Sequence, residues 1–195
     1  MAHAGSPSPT DRDGFRFRGG HVALDLTATL AGRAKAEPRE LLKSPADFVR
    51  WLGSAGFRAK EATAADLWAA QRLREAIYAL ALARIAGADK PVEREVVNLL
   101  AALTPAVPRL TPDARVELGG SGTAILSTIA REAIALFGGS HAGQIRQCEA
   151  DGCTLLFVDH SRRGDRRWCS MAGCGNRAKL ALFRRRQREA RESTR

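Results

Sequence analysis

Residues 148–177 read CEADGCTLLFVDHSRRGDRRWCSMAGCGNR, and the cysteines in this stretch decide how the chain is organised. Cys148 and Cys153 form one C-x4-C pair, Cys169 and Cys174 form a second, and 15 residues separate the pairs. These are the only 4 cysteines in the 195-residue chain. Zinc takes four ligands in a tetrahedron, and two close thiol pairs joined by a hairpin-sized gap supply them. Disulfides are the other use of paired cysteines, but they belong to exported chains, and residues 1–14 hold no apolar stretch of the signal-peptide kind. One structural zinc ion is therefore expected on Cys148, Cys153, Cys169 and Cys174, because a fully cysteinyl set leaves no coordination position open for chemistry.

Between the pairs, residues 154–158 read as one strand and Arg166-Arg167-Trp168 as its partner, with a turn over residues 161–165. Phe157 and Trp168 are the candidate core beside the metal. Past Cys174 the pattern is helical, and Arg177, Arg184, Arg188, Arg191 and Arg195 recur at helical spacing as one basic stripe. Leu180 and Phe183 should turn the other way, towards the hairpin. A knuckle, a hairpin and a helix that carries the last ligand in its first turn make a treble-clef-like finger. The expected fold class is α+β: a mainly helical N-terminal domain, then this four-cysteine zinc finger with a long C-terminal basic helix.

Charge follows the same division. The formal net charge is +10, and residues 145–195 hold 13 Lys+Arg against 6 Asp+Glu. About a quarter of the chain thus carries most of the excess, which points to a polyanionic partner. The candidate contacts are Arg162, Arg163, Arg166, Arg167, Asn176, Arg177, Lys179, Arg184, Arg185, Arg188 and Arg191. Arginine's planar fork suits phosphates and base edges better than lysine does, and double-stranded DNA is the partner this pattern fits best.

Working towards the N-terminus, residues 141–195 are the finger and basic helix, 15–140 the helical domain, and 1–14 a disordered tail rich in Ser, Pro and Gly. Gly138-Gly139-Ser140 reads as a hinge. Ser44-Pro45-Ala46-Asp47 and Thr63-Ala64-Ala65-Asp66 are helix starts, the second opening a helix that Gly87 closes. A third helix begins near Pro91 with Val92, Val96, Leu99, Leu100 and Leu103 on one face. Residues 107–118 suggest a hairpin, and after Gly119-Gly120-Ser121-Gly122 a nearly uncharged, buried helix runs to Phe137. Residues 20–26 are a short apolar segment of undecided type. Residues 119–123 are a flexible connector, since no Lys-Ser/Thr follows to make a phosphate loop. No apolar run reaches membrane-spanning length, so a cytoplasmic protein without membrane contact is expected.

The motif Cys148-x4-Cys153-x3-Phe157-x-Asp159-x-Ser161-Arg162, with Arg166-Arg167-Trp168-Cys169-Ser170-Met171-x-x-Cys174-Gly175-Asn176-Arg177, resembles the CGNR zinc finger. The preceding residues resemble the ABATE domain that is joined to that finger, through Leu24-Asp25-Leu26, Leu41-Leu42, Ser44-Pro45, Trp51-Leu52, Ala55-Gly56 and residues 72–76. The resemblance implies a bacterial, stress-linked transcription regulator with a DNA-binding finger. One departure is Ala28 before Thr29, where the family pattern carries Asn.

Three functional classes follow. The first is a regulator whose finger binds DNA and whose helical domain senses a small molecule or makes a homodimer, with Asp25, Arg72 and Arg74 as candidate ligand-pocket residues or an ion pair. The second is an RNA-binding or protein-interaction module; exposed aromatics for base stacking are scarce, which weakens single-strand recognition. The third is a nuclease built around His160 and Asn176, but no second histidine stands on the helix to complete an open metal site. The chain is expected not to be an enzyme.

Overall fold

Residues 11–192 are described by the computed structural model of the chain, which is α+β. Phe15 and Phe17 are buried, so the segment that carries them is held rather than loose. It forms a hairpin of β1 (Asp11–Arg12) and β2 (Phe15–Arg16). This corrects part of the expected tail: residues 11–14 are ordered, and Asp13 accepts from the Ser54 hydroxyl at 2.6 Å. Residues 1–10 lie outside the described residues.

The undecided apolar segment is a helix, α1 (Val22–Thr27), buried from Ala23 to Thr27. A short hairpin follows, β3 (Leu30–Ala31) and β4 (Arg39–Glu40). Both expected helix starts are reciprocal capping boxes. Ser44 and Asp47 open α2 (Pro45–Ser54), and Thr63 and Asp66 open α3 (Ala64–Ala86), which Gly87 closes at φ 69°. Each box satisfies backbone N–H groups that a helix start leaves unpaired.

Between α2 and α3 lies β5 (Phe57–Arg58). After α3 come α4 (Pro91–Ala101) and the expected hairpin, β6 (Val107–Leu110) and β7 (Val116–Gly119). β7 is central to a three-stranded sheet, antiparallel to β6 and parallel to β5. The last helix of this part is α5 (Gly122–Gly138), with Ile125, Leu126, Ile129, Ala130 and Ala133 buried against α1, α3 and α4.

Two expectations here need correction. The buried positions of α4 are Val97 and Ala101, while Val92, Leu99 and Leu103 are exposed. Polar bonds at its end set the rotation: Ser127 and Arg131 of α5 donate to the carbonyls of Leu103 and Ala101. Nor are residues 119–123 a loose connector. A Cβ at Gly122 would stand 2.7 Å from the Asp66 Cγ, and the Thr123 hydroxyl donates to Asp66 at 2.7 Å. The glycine therefore permits the starts of α3 and α5 to be bonded together.

The expected hinge leads through a 3-10 turn, Ala142–Gln144, straight into β8 (Ile145–Gln147). β8 pairs antiparallel with β9 (Leu156–Val158). This corrects the expected pairing of residues 154–158 with Arg166-Arg167-Trp168, which form no strand. Strand alternation then places β9 between two cores. Leu156 and Val158, with Ile145, join the core of the helical part, whereas Leu155 and Phe157 pack on the cysteines. A π-helical turn, Met171–Gly175, and α6 (Asn176–Glu192) follow.

Candidate metal centre and nucleic-acid interface

The first cysteine pair sits on a knuckle held by its own backbone. The Cys148 amide donates to the Leu155 carbonyl and the Cys153 amide to the Ala150 carbonyl, each at 2.9 Å. Of the second pair, Cys169 precedes the π-helical turn and Cys174 lies within it, and the Ser170 hydroxyl accepts from the Gly173 amide at 3.2 Å. Asp159, 1% exposed, bonds the chain between the pairs. It accepts from the amides of Ser161 at 2.9 Å and Arg166 at 2.8 Å. Arg166 lies 4.5 Å over the Phe157 ring and donates to the carbonyls of Trp168 and Cys169. These bonds, rather than a strand, return the chain to Cys169.

The four sulfurs lie within 4.8 Å of one another, with Cys169 to Cys174 at 3.5 Å and Cys153 to Cys169 at 4.0 Å. A tetrahedron of thiolates at the usual zinc–sulfur distance has edges of about 3.8 Å, so the donor set fits zinc in number, type and span. The Cys153 thiol is drawn down to about 5, chiefly by its bond with Cys169. That contact pushes the Cys169 thiol up, and burial pushes Cys148 up. Thiolates this close repel, and a dication removes the conflict. The four cysteines hold one structural zinc ion.

The CGNR zinc finger model matches residues 144–187. The ABATE model, described as "Putative stress-induced transcription regulator", matches residues 20–140, more than half of the chain. The chain belongs to the ABATE family. No curated protein matches it.

Asp25, Arg72 and Arg74 of the ABATE part stand in three different surroundings. Asp25 is 2% exposed and accepts from the Gly19 amide at 2.7 Å; burial pushes its carboxyl up to about 7. Arg72 points outward from α3. Arg74 is buried in an ion-pair network, 2.7 Å from Glu40 and 2.8 Å from Glu75. Arg33 shares Glu75 at 2.6 Å and lies 4.0 Å over the Tyr78 ring. Ala28 packs against the zinc cluster, so this position joins the ABATE part to the finger.

The basic candidates separate by what already holds them. Arg166 is engaged in the finger's own fold. Arg167 pairs with Glu149 at 2.5 Å, Arg185 with Glu189 at 3.4 Å, and Arg177 donates to the Cys174 sulfur at 3.0 Å. Asn176 donates to the Ala172 carbonyl at 3.3 Å. Arg162, Arg163, Lys179, Arg184, Arg188 and Arg191 are exposed. At 100° per residue, Arg177, Arg184, Arg188 and Arg191 fall within about 60° of one another around α6; Arg195 lies outside the described residues. Leu180 and Phe183 are 54% and 59% exposed, which corrects the expectation that they cover the hairpin.

Proposed function

We propose that the chain is a transcription regulator whose zinc finger binds double-stranded DNA. The observation that carries this reading is α6, a 17-residue helix with exposed arginines along one stripe. A helix of this length spans about 25 Å and suits a major groove, and in this reading the exposed Arg162 and Arg163 of the finger loop take phosphates. In this reading the finger is a treble clef with its last zinc ligand immediately before the recognition helix. It acts by binding, in the cytoplasm, and performs no catalysis. A saturated thiolate site offers no open metal position, and His160 stacks edge-on against His141, with ring centroids 5.3 Å apart.

Exposed Leu180, Leu182 and Phe183 on the same helix favour a second reading, an RNA-binding or protein-interaction module. Competition separates the two. Zinc-loaded protein bound to labelled duplex DNA should be displaced by unlabelled duplex at much lower concentration than by single-stranded RNA. Preferential displacement by RNA would reverse the order, and absence of binding to either would favour a protein partner.

A further inference from the structure

A cleft of about 470 Å³ lies where the ABATE part meets the finger. One wall is the β3–β4 hairpin with Arg33, Lys35 and Arg39, and the other is the zinc knuckle from Gly152 to Leu155 with Arg177 at the start of α6. Arg16 of β2 completes the ring of cations. Arg33 is committed to Glu75. Arg16, Lys35 and Arg39 are exposed, with no carboxylate partner among the described residues, and Glu37 is the one acidic side chain on the lining. The floor includes the apolar side chains of Ala28, Leu30 and Leu155.

Like charges around a concavity repel one another; Arg33 and Arg177 are already partnered by Glu75 and the Cys174 sulfur, and Glu37 is the one carboxylate on the lining to offset Arg16, Lys35 and Arg39. The volume is that of a small-molecule site, and guanidinium groups recognise phosphoryl oxygens through paired hydrogen bonds. We infer that this cleft binds a small, multiply charged phosphoryl anion, its phosphates on Arg16, Lys35, Arg39 and Arg177 and any organic portion on the apolar floor. The site differs from the α6 stripe in shape. Cations facing into a hollow suit one compact molecule, whereas a row along a projecting helix suits a continuous backbone. Arg177 belongs to both and is bonded to Cys174, so an occupant would touch the junction of zinc site and helix. This inference stands apart from the DNA-binding reading.

Calorimetric titration of the zinc-loaded full chain with pyrophosphate and with ADP tests it. Saturable one-to-one binding is expected for both, tighter for ADP if the apolar floor is used. Lys35→Glu/Arg39→Glu should weaken binding by about tenfold or more, as the loss of charge-assisted contacts implies. Lys35→Gln/Arg39→Gln should show a smaller loss in the same direction. Arg184→Ala/Arg188→Ala/Arg191→Ala should leave anion binding unchanged. Absence of saturable binding, indifference to the Lys35/Arg39 variants, or loss in the α6 variant would each overturn the proposal. The same proteins titrated with duplex DNA keep the two readings separate. Anion binding without DNA binding leaves the cleft standing. A chain that binds only DNA, and loses it on Lys35/Arg39 reversal, makes the cleft part of the nucleic-acid face.

Discussion

The guanidinium of Arg177 donates to the Sγ of Cys174 at 3.0 Å, so the first turn of α6 is fastened to the zinc site through a zinc ligand. A cationic donor on a thiolate offsets its charge and fixes its direction, as outer-shell partners of metal ligands do. Arg177→Ala should therefore lower zinc affinity by about tenfold to a hundredfold, and Arg177→Lys by less. Competition with a chromophoric chelator measures this. Unchanged affinity would mean that Arg177 plays no part in holding the metal.

Asp159 provides a second check on the finger. Burial alone would raise its carboxyl, but bonds from Ser161 and Arg166 hold it below the ordinary range. Removing an acceptor of two charge-assisted hydrogen bonds costs about 3 kcal/mol or more. Asp159→Ala should lower the unfolding temperature of the zinc-loaded protein and loosen the Cys169 side of the site. Because the native pKa is depressed, this contribution is present above the unfolded value of 3.8 and is lost as pH falls through the native one. An unfolding curve matching that of the unsubstituted protein would count against the role.

Asp25 behaves in the opposite sense. Its native pKa is about 7 against an ordinary 3.8, so between these values the native state keeps a proton that the unfolded chain has lost. Stability should fall as pH rises through this window, by up to about 4 kcal/mol. Asn preserves the carbonyl that accepts from the Gly19 amide and cannot ionise. Asp25→Asn should flatten the dependence and raise stability at pH 8, read by denaturant unfolding between pH 5.5 and 8. Equal slopes for the two proteins would contradict the assignment.

Leu156 tests whether the zinc hairpin and the helical part share one core. It is fully buried and lies in the cluster formed by α1, α3 and α5. Leu156→Ala should cost about 2–5 kcal/mol and lower the unfolding of the whole chain in one transition. Melting of the finger alone, with the helices unaffected, would show two independent units.

What was legible in the sequence follows from the range of the interactions involved. The capping boxes at Ser44 and Thr63, the Gly87 stop and the cysteine pairs are written within a few residues, and each was readable. The zinc ligands were legible for the same reason. The errors lie where distant contacts decide. The partner of β9 is set by Ile145 reaching the helical core, and the rotation of α4 by Ser127 and Arg131 on another helix. Asp159 was visible in the motif, yet its two amide bonds exist only once the loop has closed. The basic cleft was not legible at all, because Arg16, Lys35, Arg39 and Arg177 are brought together only when the finger docks on the β3–β4 hairpin.

Duplex-DNA binding by α6 is the central claim, and a salt series tests it most directly. Affinity of the zinc-loaded chain for duplex DNA should fall with log-log slope of about −0.9 per phosphate neutralised. Arg184→Ala/Arg188→Ala/Arg191→Ala should weaken binding and make that slope shallower by roughly 2 to 3. A flat salt response, or a variant that binds as the unsubstituted protein does, would contradict the account and assign the helix to another partner.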